Sequence, residues 1–157
     1  MKEEHIFTED TDGIDHINAY SKGKTELGRF LSNFTKCKIK TDEGIFNSLE
    51  GYWYWLLTED ESLKILYGYR AKQLGKSLDK VNEDVDRDKF KKAIDYKLLT
   101  NRRLLISQDL WLDLEVPITH YYSYGGKPIR TRHSWIIAHL ELRRKWFVAN
   151  KGNSKYF

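Results

Sequence analysis

The period of the apolar side chains changes near residue 47, and no other feature of the chain constrains its fold as much. Upstream, Lys36-Cys37-Lys38-Ile39-Lys40 alternates charge with apolar side chains, meets Asp42-Glu43-Gly44 and resumes with Ile45-Phe46. Alternation on both sides of a turn predicts a hairpin, with Cys37 and Ile39 facing inward and the three lysines in water. Downstream the period becomes helical. Asn47 and Glu50 have the spacing of a capping box, which predicts a helix running through Tyr52, Trp53 and Leu56. A second helix is predicted from Ser62 to Leu74, closed by Gly75, and a third from about Asp86 to Thr100, with Phe90, Ala93, Ile94 and Leu98 on one stripe. A short helix around Arg102 to Leu110 follows, and a last one from Ser134 to about Phe147. The stretch from Ile14 to Tyr20 reads as a strand followed by a loop, and Tyr122 to Pro128 as a loop rich in turn residues. The expected fold is α+β: one domain, mainly helical, with a small antiparallel sheet near the N-terminal half. Residues 1–13 read as a flexible, acidic arm, 14–149 as the domain, and 150–157 as a polar tail.

Composition limits what this fold can do. A chain of 157 residues has the length for one core, and 10 Tyr, 7 Phe and 5 Trp supply it, which excludes disorder over most of the sequence. One cysteine, Cys37, excludes an intramolecular disulfide and a cysteine-based zinc cluster. No apolar run approaches the ~20 residues of a membrane helix, and the Met-Lys-Glu-Glu-His start has no apolar segment, so a cytoplasmic protein with no membrane partner is expected. Lys and Arg number 27 against 23 acids, giving +4, a balance that permits a phosphate-bearing partner without requiring one. There is no phosphate-loop pattern, no Gly-x-Gly-x-x-Gly and no Gly-x-Ser-x-Gly, which disfavours nucleotide hydrolases, Rossmann dehydrogenases and serine hydrolases.

Two charged residues fall where chemistry is conceivable. Glu50 at a helix N-terminus is expected to stay ionised, because the helix dipole stabilises a carboxylate there. Such a group suits base catalysis or stabilisation of a developing oxocarbenium ion, while the plainer reading is that it completes a capping box. Lys97 interrupts the apolar stripe of the third helix. Burial would lower its pKa and let it attack a carbonyl as a free amine, and the plainer reading is a stem that covers the core while its head reaches water. The aromatic and glycine-containing loop Tyr121-Tyr122-Ser123-Tyr124-Gly125-Gly126 suits either a stacked ligand or core packing. Five histidines show no metal-ligand spacing, so no metal is predicted, and His139 reads as a packed or surface imidazole. Basic clusters at Arg102-Arg103, at Lys127, Arg130 and Arg132, and at Arg143-Arg144-Lys145 are solvated faces by default and phosphate contacts otherwise.

Taken in order, Ile17-Asn18-Ala19-Tyr20-Ser21, Gly28-Arg29-Phe30-Leu31-Ser32-Asn33-Phe34 and Ser48-Leu49-Glu50-Gly51-Tyr52-Trp53 resemble the opening motifs of the NADAR (YbiA-like) family. Ala71-Lys72-Gln73-Leu74-Gly75-Lys76 is similar to that family's Ala-x-x-Leu-Gly-Arg, and Ala93-Ile94-Asp95-Tyr96-Lys97-Leu98 to its Ala-Leu-x-x-Lys-Phe. Tyr124-Gly125 stands where the family carries Trp-Gly, and Gly51 where it carries histidine. The resemblance implies an N-glycosidase that cleaves the bond between ribose C1 and a nitrogenous base without a cofactor. It implies Glu50 and Lys97 as catalytic residues, and Arg29, Ser32, Asn33, Phe34, Ser48, Tyr124 and Gly125 as substrate-binding residues. Two substrate classes follow from it: ADP-ribose carried on guanine in DNA, which the basic pI favours, and phosphoribosylated aminopyrimidines of riboflavin synthesis. A catalytically silent module that binds ADP-ribose or nucleic acid is the alternative from another class.

Overall fold

The computed structural model describes residues 6–124, 127–130, 133–153 and 155–156. In chain order its elements are β1 (Ile17–Asn18), α1 (Glu26–Leu31), β2 (Ile39–Thr41), β3 (Gly44–Phe46), α2 (Leu49–Thr58), α3 (Gly68–Ser77) and α4 (Arg87–Thr100). These are followed by α5 (Arg102–Ile106), α6 (Asp109–Leu112), β4 (Ile118–Thr119), β5 (Tyr121–Tyr124), β6 (Lys127–Arg130) and α7 (Ser134–Asn150). Helix outweighs strand, 51% to 12%, so the fold is mixed α+β as the two apolar periods predict. The chain is built as two compact units, one comprising the residues up to Leu31 together with those from Ile106 onward, the other Ser32–Leu105.

In the first unit β1 pairs in parallel with β4, Ile17 opposite Ile118 and Asn18 opposite Thr119. The predicted strand is present, but its partner lies far along the chain, as parallel pairing requires. Asn18 extends the ladder with its side chain, donating to Tyr121 O at 2.9 Å and accepting from Tyr121 N at 3.0 Å. The segment expected as a loop, Tyr122 to Pro128, forms instead the antiparallel hairpin of β5 and β6, with Tyr124 opposite Lys127. Aromatic side chains at alternate positions supply strand propensity that outweighs the turn residues between them. The predicted short helix is divided into α5 and α6, with Gln108 extended before Asp109.

The acidic arm is also drawn into this unit. Asp12 is buried and accepts from Asn18 N at 3.0 Å and Lys24 N at 2.9 Å. Only the outer part of the expected arm, residues 1–5, lies outside the described residues. In α7, Arg144 is wholly buried and donates to the carbonyls of Trp111 at 2.7 Å and Val116 at 2.6 Å, and also to those of Leu110 and Asp113. The Arg143-Arg144-Lys145 cluster is therefore not a solvated basic face throughout, since its central guanidinium holds the loop after α6. His139 is a packed imidazole, and in the tail Tyr156 lies edge-on to Trp146 with ring centroids 5.1 Å apart.

The second unit opens with the predicted hairpin, β2 antiparallel to β3 with Ile39 opposite Phe46. Lys36, Lys38 and Lys40 are exposed, Ile39 is buried and Cys37 is partly so, which is the expected period of two. Phe46 packs on Tyr52 of α2 at 4.8 Å, and Tyr52 stacks with Phe90 of α4 at 6.4 Å, so one aromatic row joins hairpin and helices. Asp86 caps α4 through Lys89 N, and Phe90, Ala93, Ile94 and Leu98 are buried as predicted. The helix expected from Ser62 to Leu74 is broken into a 3-10 turn, Glu61–Ile65, and α3, with Leu66 and Tyr67 extended between them. Gly75 does not close that helix. It lies within α3, where an added Cβ would fall 2.0 Å from Tyr54 Cγ, so the glycine lets α3 approach α2.

Candidate active site

Three consecutive carbonyls organise the second unit. Ser32 O accepts from Lys97 Nζ of α4, Asn33 O from Glu50 N of α2, and Phe34 O from Gly68 N of α3, each at 2.9 Å. The first N–H groups of a helix have no partner inside the helix, so a loop that offers carbonyls at two helix starts fixes both. The loop is also closed on itself, with Phe34 N donating to Ser32 Oγ at 3.2 Å and Thr35 N to Ser32 O at 3.3 Å. Ser32, Asn33, Phe34, Ser48, Glu50 and Lys97 are thus brought into one unit, as the motif order suggests.

Glu50 does not complete a capping box. The N-cap of α2 is Ser48, whose hydroxyl accepts from Gly51 N at 3.0 Å and donates to Leu66 O at 3.0 Å. Asn47, the expected cap, is instead held by the turn before α3, receiving no role at the helix start: its N–H donates to Lys64 O at 2.9 Å and its side chain to Ile65 O at 3.1 Å. Glu50 is therefore the second residue of α2, and among the described residues its carboxyl accepts no hydrogen bond. Gly51, which follows Glu50, has no room for a side chain, since a Cβ there would lie 2.6 Å from Leu63 O.

The expectation that Glu50 stays ionised needs correction. Burial pushes its carboxyl from 4.5 up to about 7, although Lys72 and Lys76 of α3 pull in the other direction. Desolvation outweighs both favourable charges because the carboxylate loses more hydration than two nearby ammonium groups return. Tyr54, one turn along α2, is pushed up to about 12 by its own burial and by the charge of Glu50. A carboxyl near 7 exchanges a proton readily at neutral pH, in either direction.

Lys97 does not snorkel. It is 2% exposed, and burial lowers its amine from 10.5 to about 8. About a tenth of an amine with that pKa is neutral at pH 7, against fewer than about one in a thousand for an ordinary lysine. Its Nζ, held on Ser32 O, and the Glu50 backbone, held on Asn33 O, rest on adjacent peptide units.

The other predicted residues divide. Ser48, fully buried with its proton committed to Leu66 O, positions the start of α2. Arg29 belongs to the other unit, where one guanidinium nitrogen donates to Gly23 O at 2.8 Å and Lys24 O at 3.0 Å. Tyr124 also belongs to that unit and is exposed, while Gly125 lies outside the described residues. Lys72, Lys76 and Tyr54 were not singled out from sequence. The signal for them was the i, i+4 spacing of Glu50 with Tyr54 and of Lys72 with Lys76, which only the pairing of α2 with α3 makes meaningful. A cleft between β2 and α4, lined by Lys40, Tyr52, Lys89, Lys92 and Tyr96, includes none of the predicted residues. Comparison with family models, curated proteins and solved structures finds no match to this chain.

Proposed function

We propose that the chain is an N-glycosidase of the NADAR type that releases ADP-ribose from ADP-ribosylated guanine in DNA. The observation that carries this reading is the loop Ser32–Phe34, whose adjacent carbonyls anchor the Lys97 amine, brought to about 8, and the backbone N–H of Glu50, whose carboxyl is brought to about 7. Cleavage of a ribose–base bond needs a proton for the departing nitrogen and a nucleophile for C1. Glu50 in its neutral form donates the proton as the C1–N bond breaks and its electron pair leaves on the base. The resulting carboxylate then takes the proton of the group that attacks C1.

That group is the Lys97 amine in the proposed route. The neutral amine exchanges its Ser32 contact for C1 as the base departs, and the resulting glycosylamine opens its ring to an imine, the ring oxygen leaving C1 as a sugar hydroxyl and the amine proton passing to the Glu50 carboxylate. Addition of water to the imine returns the amine and releases ADP-ribose. Asn33, half-buried and anchored through its backbone, offers a carboxamide to the sugar hydroxyls.

The test is mass spectrometry of an oligonucleotide carrying ADP-ribosyl guanine, incubated with the wild type and with Glu50→Gln. Restored guanine and free ADP-ribose with wild type alone are expected, with Glu50→Gln slowed by ~10²-fold or more. An unchanged oligonucleotide sinks the nucleic-acid substrate and moves the test to phosphoribosylated aminopyrimidines. Borohydride during turnover should trap a sugar on Lys97, and turnover without an adduct would assign the attack on C1 to water.

A further inference from the structure

Two stretches of the second unit contain no acidic residue. Ser32 to Thr41 carries Lys36, Lys38 and Lys40, and Leu63 to Leu78 carries Lys64, Arg70, Lys72 and Lys76, in a chain where 23 of 157 residues are acidic. They meet where Phe34 O accepts from Gly68 N at 2.9 Å, at the start of α3. The second stretch also exposes large apolar side chains at alternate positions: Ile65 at 70%, Tyr67 at 48% and Tyr69 at 68%. Single exposed aromatics are ordinary, but three such residues within five, set among cations, form a patch the fold itself does not use. Lys36 Nζ lies 5.4 Å from the Tyr67 ring centre, and Lys72 Nζ lies 5.9 Å from that of Phe34.

Exposed rings beside a run of cations have the chemistry of a single-strand platform, because every base offers a face to stack and every nucleotide a phosphate to neutralise. A duplex hides its base faces and would use only the cations. We infer that Tyr67 and Tyr69, with Lys36, Arg70 and Lys72, form a binding surface for single-stranded nucleic acid. The inference deepens the reading above, since it states how the strand is held beside the loop that anchors the start of α2 at Glu50. The segment is suited to this role because, among the described residues, Lys64 is the one cation of the stretch in an ion pair, with Glu61 at 2.6 Å, while Lys72 and Lys76 also act on the Glu50 carboxyl without pairing to it.

The test uses unmodified strands, so that it does not depend on glycosidic cleavage. Fluorescence anisotropy of a labelled oligothymidylate should show binding by the wild type, with a hairpin duplex of the same label bound more weakly. Tyr67→Ala and Tyr69→Ala should each weaken single-strand binding about tenfold, whereas the Phe variants retain it. Arg70→Ala should reduce the slope of log affinity against log salt by about 0.7. An oligouridylate arm separates DNA from RNA as the preferred source of the same chemistry. No binding by wild type, equal binding by the double alanine variant, or preference for the duplex would each overturn the inference. Cleavage of ADP-ribosyl guanine alongside any of these results would leave Glu50 in its role and remove only the platform.

Discussion

Replacing Glu50 by glutamine should stabilise the fold at neutral pH. The carboxyl rises from 4.5 in the unfolded chain to about 7 in the folded one, so the folded state binds the extra proton between those values. A group whose folded pKa is raised contributes stability below its unfolded pKa and loses it as pH rises through the folded value. A shift of about 2.5 pH units is worth about 3 kcal/mol, and partial contact with water makes this an upper figure. Glutamine imitates the neutral carboxyl in shape and polarity. The variant should therefore match the wild type near pH 4 and exceed it by up to about 3 kcal/mol at pH 8, or ~6–12 °C in Tm for a chain of this size. Urea unfolding of both proteins across that range, at constant ionic strength, reads the difference directly, and other titrating groups cancel in the subtraction. A difference that does not change with pH, or a variant less stable than wild type at pH 8, would refute the argument that burial rather than the lysines governs Glu50.

Lys97→Met should show the complementary slope: the wild type, whose amine falls from 10.5 to about 8 on folding, gains about 2 kcal/mol relative to the variant as pH rises from 7 to 10 in urea titrations. Gly75→Ala places a Cβ 2.0 Å from Tyr54 Cγ and should cost about 1–3 kcal/mol, most of it recovered in a double variant with Tyr54→Ala; a calorimetric cycle without such coupling would show that the two helices are free to separate. Arg144→Met leaves the carbonyls of Leu110, Trp111, Asp113 and Val116 without their guanidinium and should cost roughly 3–5 kcal/mol, seen as lost hydrogen-exchange protection over residues 110–118.

What could be read from the sequence was what side-chain spacing alone determines. The hairpin of β2 and β3 follows from alternation at Lys36–Lys40, and α4 follows from its apolar stripe and the Asp86 cap, both properties of neighbours in the chain. The start of α2 was misplaced by one residue because Asn47 is engaged by Lys64 and Ile65, partners that no local pattern reveals, which leaves the cap to Ser48. The break at Leu66 and Tyr67 has the same origin. Ser48 Oγ holds Leu66 O and Phe34 O holds Gly68 N, so tertiary bonds interrupt a stretch whose composition suits a continuous helix. At the candidate site the identities of Glu50 and Lys97 were legible, and the protonation of Lys97 followed once burial was assumed. For Glu50 the one local signal, a helix N-terminus, pointed toward ionisation, and the decisive influence was burial.

These two residues give the second unit an unusual dependence on pH. Near pH 7 to 8 Glu50 is losing its proton in the folded state while Lys97 still holds much of its own, so both groups carry charge that burial disfavours. Below pH 4.5 the first cost is absent, and above pH 10.5 the second is absent. Their joint contribution is therefore least favourable near neutrality, where maximal stability is the common pattern. A fold under selection for stability alone would remove it by two neutral substitutions, since buried charges are often replaced by apolar side chains at no loss. The chain instead keeps both, with Lys97 Nζ on Ser32 O and the Glu50 backbone on the adjacent Asn33 O, and that retention supports the proposed exchange of protons near neutral pH.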